Sequence, residues 1–361
     1  MNYSQRMAES WENPRCGPKA AAPDRYAEAG VDVAAGNEAV ARYQRILAQW
    51  RHPDQLEAVG GFAGLFHLPG DRDRALVAST DGVGTKVLIA AELERYGGVG
   101  RDLVNHCVND ILVCNATPLF FLDYLAVGRL DPRVAADIVS GCAEACRAHD
   151  CALLGGETAE MPGIYSRDHF DLAGTIVGIV GIGDIPDPQS VLPGDAIVGL
   201  PAIGLHTNGY TLARLLLPRS VWGDSFGDST YADALLTEHP SYYRSVRAIQ
   251  AVAKVKAMAH VTGGGLLENV PRTLPENVKA IFEQQRWIVP PIMQELVRRG
   301  ELATQERYRV FNMGIGYTLI VPFTDAPAAI GAVPSAKVIG WIEARMPDEP
   351  RVVVHPARDD R

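Results

Sequence analysis

The sequence predicts a protein of two domains, of the α+β or mixed α/β class. Its 361 residues exceed the length at which a single hydrophobic core stops growing, about 250–300 residues. Apolar strand-like runs and helical patterns occur in both halves without strict alternation, which favours this class over a barrel or a doubly wound sheet. A turn-rich stretch at 185–193 contains three prolines and separates the two halves.

These observations divide the chain into three parts. We expect a loosely ordered N-terminal extension over residues 1–25, an N-terminal domain over residues 26–185 and a C-terminal domain over residues 186–361.

Composition and charge argue against several classes of protein. The net charge is −9 and no block of Lys and Arg stands out, so neither a nucleic-acid partner nor a membrane surface is expected. The first residues lack the apolar core of a signal peptide, and no later run is long enough to span a bilayer, which predicts a cytoplasmic location. The six cysteines form no CxxC pair, which favours buried reduced thiols over a disulfide framework.

Helical and strand patterns follow one another through the first half. A first helix is predicted with Asn37 as a fair N-cap and apolar residues at helical spacing from Val40 to Trp50. A glycine-rich loop at 60–66 follows. Strands are then predicted at 75–78, 119–126, 151–154 and 172–182, and helices at 86–93, 102–113 and 134–149. The third of these strands runs into a glycine-rich loop, Gly155-Gly156-Glu157-Thr158.

The second half restarts with a strand at 196–200. A loop with His206, Asn208 and Gly209 leads into a helix that begins near Tyr210, and residues 218–233 are expected to form an exposed excursion. A helix at 242–254, a loop-to-helix junction at 259–265, and strands at 317–321 and 337–342 complete the prediction.

The stretch Asp81-Gly82-Val83-Gly84-Thr85-Lys86 follows the first buried strand. Its glycines allow close approach of a ligand to the backbone, and their N–H groups suit phosphate oxygens. A carboxylate beside them can hold Mg²⁺, and a lysine can neutralise remaining phosphate charge. The stretch is not a Walker P-loop, because GxxxxGK[ST] is absent. Taken alone, it also fits a strand that ends in a glycine turn.

Several stretches of this kind occur together. Glycine-rich loops also lie at Gly60-Gly61, at 155–158 and at 262–265, and Glu157 follows a strand just as Asp81 does. Asn109-Asp110 adds another carboxylate in the first half. Hard oxygen ligands with glycine-lined anion sites are what Mg-nucleotide chemistry requires, so the combination predicts a nucleotide-binding enzyme.

At this point the chain resembles a known family, the phosphoribosylformylglycinamidine cyclo-ligases, also called aminoimidazole ribonucleotide synthetases. The resemblance runs in order from about residue 26 to residue 321. Its motifs are YAEAGVDVAAGNEAV, TDGVGTK, VND, PLFFLDY, GGETAEMPG, GLHTNGYTLAR, AHVTGGGLLENVPR and FNMGIGY.

The resemblance implies a two-domain fold of the aminoimidazole ribonucleotide synthetase superfamily. It implies an N-terminal domain that binds ATP and dimerises through its sheet, with a C-terminal domain that completes the cleft. It further implies the ATP- and Mg²⁺-dependent closure of formylglycinamidine ribonucleotide to aminoimidazole ribonucleotide, in de novo purine biosynthesis. The expected partners are this ribonucleotide, ATP and a second copy of the chain.

Site residues follow from the matched motifs. The resemblance implies that Asp81, Asp110 and Glu157 hold Mg²⁺, and that Lys86 and Asp81 act in catalysis together with His206. The ATP site is expected to comprise Gly60, Gly61, Thr80, Asp81, Gly82, Gly84, Thr85, Lys86, Asn109, Asp110, Glu157 and Thr158. From the residues alone, purely structural roles remain open. Asp110 also fits a carboxylate on a helix surface, and Glu157 fits a solvated residue at a strand end.

His206 is the candidate acid/base or oxyanion stabiliser at the formyl carbon. A lone histidine of this kind is also a common hydrogen-bonding loop residue. The expected substrate contacts are His206, Asn208, Thr262, Gly263, Gly264 and Asn312. The glycines at 263–265 equally fit a helix cap, and His260 is interpreted as structural because Ala259 and Val261 flank it.

The chain departs from the family pattern in a few places. The extension before Tyr26 is longer than usual, and Ala63 stands where the family often has glycine. Pro240 stands where the family commonly has arginine, which puts a substrate-phosphate contact there in doubt. Residues 324–335 are too short and proline-rich for the usual late helix, so a trimmed C-terminal domain is expected.

Two alternative functions remain. One is another ATP-using member of the superfamily, such as a selenophosphate synthetase or a thiamine-monophosphate kinase; Cys16-Gly17-Pro18-Lys19 faintly matches the former. The other is a non-catalytic paralogue that binds nucleotide. Retention of Asp81, Lys86 and Asp110 argues against the second.

Overall fold

A computed structural model describes residues 25–56 and 61–357. Nearly all of the predicted extension, and Gly60 of the first glycine-rich loop, lie outside these residues. Within them, the chain forms two large sheets and one small hairpin. The strands of the first large sheet all precede residue 182 and those of the second all follow residue 195. The predicted mixed class is confirmed.

The first sheet has five strands in the order β1-β2-β5-β3-β4. All neighbours are antiparallel except β3 and β4, which are parallel. Its strands are β1 (Gly64–His67), β2 (Arg74–Gly82), β3 (Thr117–Val127), β4 (Ala152–Glu160) and β5 (Phe170–Gly181). The helices of this part are α1 (Arg25–Glu28), α2 (Val33–Leu47), α3 (Lys86–Glu92), α4 (Gly97–Leu112) and α5 (Pro132–Ala148).

One face of the first sheet is covered and the other is open. Strand β5 shows the pattern that produces this: alternate residues, among them Leu172 and Ile176, are fully buried against α4. Helix α5 packs closely on α4 because Gly100 and Gly141 lie at the contact, where a Cβ would overlap backbone atoms. On the opposite face, Leu122 and Tyr124 of β3 are 36% and 39% exposed.

The second sheet has six strands in the order β13-β10-β12-β6-β11-β9. Only β10 and β13 pair in parallel among these strands. The strands of the second half are β6 (Ala196–Pro201), β7 (Ser225–Phe226), β8 (Ser229–Thr230), β9 (Ala257–His260), β10 (Val278–Glu283), β11 (Ile315–Val321), β12 (Lys337–Ala344) and β13 (Val352–His355). Its helices are α6 (Tyr210–Leu216), α7 (Tyr231–Leu235), α8 (Tyr243–Gln250), α9 (Gly265–Asn269), α10 (Pro291–Gly300), α11 (Thr304–Val310) and α12 (Ala326–Ala332).

The centre of the second sheet is buried on both faces. Every residue of β11 is buried, and β6 is buried up to Leu200, which explains their continuous apolar sequences. On one face, Val198 and Leu319 belong to a core that includes residues of α8 and α12. On the other face, Ile197 joins the larger core that extends into the first domain.

Three sequence predictions are corrected. Helix α2 begins at Val33, because the side chain of Asp32, not Asn37, caps it by accepting a hydrogen bond from the Ala35 N–H. Residues 155–158 are not a loop but continue strand β4 to Glu160. A late helix does form at Ala326–Ala332, since its proline lies in the first turn, where no N–H partner is required.

The cysteine prediction is confirmed for the part of the chain that the structure describes. Its five cysteines are free and buried: Cys107, Cys114, Cys142, Cys146 and Cys151. None of the helices in residues 25–56 and 61–357 has both the length and the apolar content needed to cross a bilayer.

Candidate active site

Helix α4 joins the two domains and positions the site. One side of the helix is apolar and packs in the core through Leu103, Cys107 and Ile111. Its polar residues recur at helical intervals, and each of them bonds to the second half of the chain. These residues are Arg101, Asp102, Asn105, His106, Asn109 and Asp110.

Asp81 and Asp110 bracket the ring of His106. The Nε2 atom of His106 lies 2.7 Å from Oδ2 of Asp81 and 3.6 Å from Oδ2 of Asp110. Two motifs that are separate in the sequence thus meet at one imidazole. The side chain of Asp81 is 43% exposed and that of Asp110 only 8%, so solvent reaches the pair through Asp81. A pair of carboxylates with one open side is a donor set that fits Mg²⁺.

The charges of this cluster shift the pKa values of its members. Burial alone would lower the pKa of His106, but the charges of Asp81 and Asp110 outweigh it and raise that pKa to about 9. Burial opposes ionisation of Asp81 too, but the charge and hydrogen bond of His106 lower the Asp81 pKa. At neutral pH His106 is therefore a cation between two carboxylates.

Three more histidines form the buried end of the site. The rings of His206 and His239 stack with centroids 3.9 Å apart, and the Nε2 atoms of His239 and His260 lie 3.1 Å apart. The Nδ1 atom of His260 lies 2.8 Å from Oδ1 of Asp110. Polar groups therefore run continuously from the exposed carboxylate of Asp81 to the buried ring of His206.

These three imidazoles are neutral at pH 7. Burial lowers the pKa of His206 and of His239 well below 6.5, and neighbouring positive charges lower it further. Burial also lowers the pKa of His260, although Asp110 opposes this shift. The site thus has one cationic histidine at its carboxylate end and neutral histidines at its buried end.

The backbone of His206 is held in an unusual conformation. Its φ angle is 63°, in the left-handed region that non-glycine residues rarely adopt. Its Nε2 lies 3.1 Å from the hydroxyl of Tyr242. Gly316 of β11 packs against the same ring, and a Cβ there would overlap the Tyr242 hydroxyl and press on Cε1 of His206.

Lys86 occupies a different position from the one predicted. It is fully buried, and its Nζ lies 2.6 Å from Oδ2 of Asp102. The same Nζ donates hydrogen bonds to the carbonyls of Thr237 (2.7 Å) and His206 (3.4 Å). Its charge is therefore used inside the protein, where it holds the backbone of His206 in place.

The glycine-rich stretch adjoins the carboxylate pair. The N–H of Gly82 donates to Oδ1 of Asp81 at 2.7 Å, and Gly84 has a φ angle of 69°, which a side chain would strain. Thr85 contacts Thr211 of α6 at 3.1 Å between hydroxyls. Gly61 lies in an exposed bend one residue before Phe62.

Strand pairing places two predicted residues on the other face of the first sheet. Thr80 bonds Thr175 across the open face, because successive residues of β2 point to opposite sides. Glu157 pairs with Tyr124 on that same face, and β4 is three strands from β2, about 14 Å away. The structure therefore does not bring Glu157 or its neighbour Thr158 to Asp81 within one chain.

Asn109 is also used differently from the prediction. It is fully buried, and its amide donates to the carbonyl of Pro240 at 3.0 Å and accepts from the N–H of Tyr242 at 2.8 Å. It therefore links the domains and has no surface to offer a nucleotide. Pro240 contributes its carbonyl to this contact.

The predicted substrate residues form two groups. Asn208 lies beside Gly263, whose loop with Thr262 and Gly264 is held by the amide of Asn269. Asn312 is buried elsewhere: its amide donates to the carbonyl of Gly204 at 3.0 Å and its Oδ1 accepts from the N–H of Gly314 at 2.9 Å. Asn312 thus holds the loop that precedes His206. Asn208 and the loop from Thr262 to Gly264 lie after His206 in the chain.

Comparisons with known proteins show which family the chain belongs to. A family model described as "AIR synthase related protein, N-terminal domain" matches residues 60–180, and its C-terminal counterpart matches residues 193–352. A phosphoribosylformylglycinamidine cyclo-ligase from Myxococcus xanthus is 45% identical over 332 residues, which is 88% of this chain and 96% of that protein. Its namesake from Anaeromyxobacter dehalogenans is 45% identical over 334 residues, 90% of this chain and 97% of that one.

The chain belongs to the AIR synthase family.

Solved structures show the same fold at greater distance. A thiamine-monophosphate kinase from Stenotrophomonas maltophilia has a TM-score of 0.59 and 20% identity over 86% of this chain and 94% of its own. The hydrogenase maturation protein HypE in complex with ATP has a TM-score of 0.57 and 18% identity over 85% and 88%. At such identities the likeness concerns the fold alone, whereas the AIR synthase family assignment comes from the sequence. The predicted resemblance is confirmed.

Several residues of the site are not predicted by the AIR synthase motifs. His106 and His239 were not singled out, and His260 was interpreted as structural although it bonds Asp110. The spacing of His106 and Asp110, four residues apart on one helix, was an available signal. The place of His239 depends on contacts with a helix about 130 residues earlier, which local pattern does not reveal.

Proposed function

We propose that this chain catalyses the ATP-dependent closure of formylglycinamidine ribonucleotide to aminoimidazole ribonucleotide, with release of ADP and phosphate, in de novo purine biosynthesis. The observation that carries the proposal is the 45% identity to cyclo-ligases of two bacteria over 88% or more of this chain. The aligned length includes both domains, so both sides of the site are covered.

The reaction requires activation of a poor leaving group. The formyl oxygen attacks the terminal phosphorus of ATP and ADP leaves. The amidine nitrogen of the same molecule then attacks the formyl carbon, loses a proton, and the C–O bond breaks to release phosphate. The second step is intramolecular, so positioning of one bound molecule accelerates it strongly.

Asp81 and Asp110 are proposed to hold Mg²⁺ on the ATP phosphates. When bound, the ion neutralises charge on the phosphate oxygens during transfer. The exposed side of Asp81 is the point of access, and the N–H of Gly82 borders it. Gly84 and Thr85, which follow, are proposed to contact ATP. Gly61 is proposed to border the same site, since the next residue, Phe62, accepts a hydrogen bond from Ser79 beside Asp110. Gly60, which lies outside the described residues, stays a predicted ATP contact.

His206 is proposed to act at the formyl carbon, as acid/base or as a donor to the developing oxyanion. A neutral imidazole can serve in either role. Asn208 and the loop from Thr262 to Gly264 border His206 and are proposed to contact the ribonucleotide. Lys86 is proposed to position His206 by donating a hydrogen bond to the backbone carbonyl of His206. This role differs from the neutralisation of phosphate charge that the motif suggested.

The chain is further proposed to form a homodimer through the open face of the first sheet. Half-exposed apolar side chains cover this face, among them Leu122 and Tyr124. Glu157 and Thr158 lie on the edge strand β4, so any contact they make with a nucleotide would be to the site of a second copy.

The proposal is tested by a discontinuous assay for aminoimidazole ribonucleotide with the purified chain, ATP, Mg²⁺ and formylglycinamidine ribonucleotide. Product that depends on both ATP and Mg²⁺ is expected. Parallel reactions supply thiamine monophosphate or selenide in place of the ribonucleotide. Turnover only with one of these would contradict the proposal, and binding of ATP without turnover on any of the three would indicate a non-catalytic paralogue.

A further inference from the structure

The buried end of the site brings three ring nitrogens together. His206, His239 and His260 each offer one nitrogen, and these three atoms all lie within 4.8 Å of one another. All three residues are buried, with exposed fractions of 1%, 0% and 0%. The Nε2 atoms of His239 and His260 are 3.1 Å apart. That is close to the roughly 3.4 Å between two nitrogens bound to one tetrahedral metal ion at about 2.0–2.1 Å.

The hydrogen bonds around this pair leave two lone pairs facing each other. Nδ1 of His260 is 2.8 Å from a carboxylate oxygen of Asp110 and must carry the proton, so Nε2 is the bare nitrogen. The Nδ2 of Asn109 lies 3.3 Å from Nε2 of His239 and can only donate, so that nitrogen carries a lone pair, and a bound ion would take the place of this long hydrogen bond. A shared proton or a metal ion would satisfy both nitrogens, and the ring of His206, whose nitrogen lies within 4.8 Å of them, favours the metal ion.

The type of ligand selects the type of ion. Imidazole nitrogens suit Zn²⁺ and its neighbours in the first transition series, whereas Mg²⁺ takes oxygen ligands. The bond from Asp110 to His260 reproduces the carboxylate–histidine–metal arrangement that orients ligating imidazoles. We propose that His206, His239 and His260 form a binding site for a transition-metal ion of the Zn²⁺ class, separate from the Mg²⁺ site proposed at the carboxylates.

His206 supplies the third ligand. Its ring is stacked on His239 with an interplanar angle of 9°, and one of its nitrogens lies within 4.8 Å of the other two ligand atoms. Its Nδ1 is buried and has no hydrogen-bond partner among the described residues. The backbone of this residue is in the left-handed region, with a φ angle of 63°, a conformation that is often found at functional sites. The inference concerns binding alone. An ion bound to His206 would occupy the ring that the proposed reaction uses as acid/base, so the metal-bound form would not use His206 in that role.

The test uses Co²⁺ as a visible substitute for Zn²⁺. The full chain is prepared without a polyhistidine tag, freed of metal by chelation and titrated with Co²⁺ in excess Mg²⁺. We expect one Co²⁺ per chain, with the intense visible absorption of a four-coordinate ion, displaced by Zn²⁺. His239→Gln should weaken Co²⁺ binding at least about 100-fold. The matched control His149→Gln changes a half-buried histidine outside the cluster. It should leave the affinity for Co²⁺ within about twofold of the wild-type value.

Two results would overturn the inference. One is absence of a 1:1 complex at micromolar Co²⁺; the other is binding that survives His239→Gln but is lost in Asp81→Asn, which would place the ion at the carboxylates. Because His239 is buried and its variant could misfold, X-ray absorption of the wild-type zinc complex provides an independent measurement. Three imidazole nitrogens at about 2.0–2.1 Å are expected, and a shell of oxygen atoms alone would refute the site.

Discussion

At the scale of single residues, the site depends on one imidazole that holds two carboxylates in place. His106 contacts Asp81 and Asp110 through Nε2, and its Nδ1 lies 2.8 Å from the hydroxyl of Thr207 in the second domain. Without a positive group there, the two carboxylates would repel each other at short range. The charge of His106 is therefore a property that an experiment can measure.

His106→Gln should change how stability depends on pH. The folded pKa of His106 is about 9, above its unfolded value near 6.5, so its contribution is complete below pH 6.5 and is lost as the pH rises through 9. Asp81, whose pKa is lowered, remains ionised throughout this window, and the neutral His206, His239 and His260 do not titrate in it. The wild type should be more stable than the variant at pH 6.5, and this difference in the free energy of unfolding should decrease by up to about 3 kcal/mol between pH 6.5 and 10. Urea unfolding at each pH measures it, and a constant difference would contradict the cationic assignment.

Gly316→Ala should disturb the site without disturbing the fold. A Cβ at this position would overlap the hydroxyl of Tyr242 and displace the ring of His206, so turnover should fall at least about tenfold. Gly331→Ala is the matched control, because a Cβ there meets nothing and replaces glycine in helix α12. Steady-state kinetics of both variants measure the effect. Equal rates would show that the ring of His206 need not be fixed.

At the scale of elements, helix α4 explains both what the sequence predicted and what it did not. Its apolar stripe predicted a helix at 102–113, close to the observed Gly97–Leu112. Its polar stripe was visible too, but the segment at 238–242 that it bonds could not be predicted, because no local pattern encodes that contact. The position of Glu157 in the fold differs for a related reason. Gly155 and Gly156 predicted that the strand ends before Glu157, whereas strand β4 continues through both glycines to Glu160.

Asn109→Ala should weaken the contact between the two domains. The substitution leaves the carbonyl of Pro240 and the N–H of Tyr242 buried and unpaired, which costs about 2–4 kcal/mol of unfolding free energy. Arg133→Ala, at a side chain that is 91% exposed on α5, should stay within about 0.5 kcal/mol. Urea denaturation compares the two. If Asn109→Ala lowered the free energy of unfolding by less than about 1 kcal/mol, these interdomain hydrogen bonds would contribute little to stability.

At the scale of the whole molecule, the two sheets differ in what covers them. The apolar strands at the centre of the second sheet are buried on both faces, whereas strand β5 of the first sheet alternates between buried and partly exposed residues. The mixed class, most strands and the family could be inferred from the sequence. The meeting of the domains at a histidine cluster could not, because it brings together residues as far apart as Asp81 and His260.

Leu122→Asp should convert the proposed dimer to a monomer. The residue lies on the open face, where a buried charge would oppose association. Leu192→Asp is the control, since that leucine is 58% exposed and precedes the second sheet. Light scattering after size-exclusion chromatography gives the mass of each variant. A monomeric wild type, or a dimeric Leu122→Asp variant, would exclude this face as the interface.

The decisive test of the site is a double-mutant cycle with Asp81→Asn, Asp110→Asn and both together, assayed for aminoimidazole ribonucleotide across a range of Mg²⁺ concentrations. If both carboxylates hold one ion, each single variant should lose at least about 100-fold in kcat/KM, and the double variant should be little worse than either. Asp137→Asn, an exposed carboxylate of α5, should behave as wild type. Near-normal turnover in either single variant, or losses that multiply independently, would show that Asp81 and Asp110 do not share an ion.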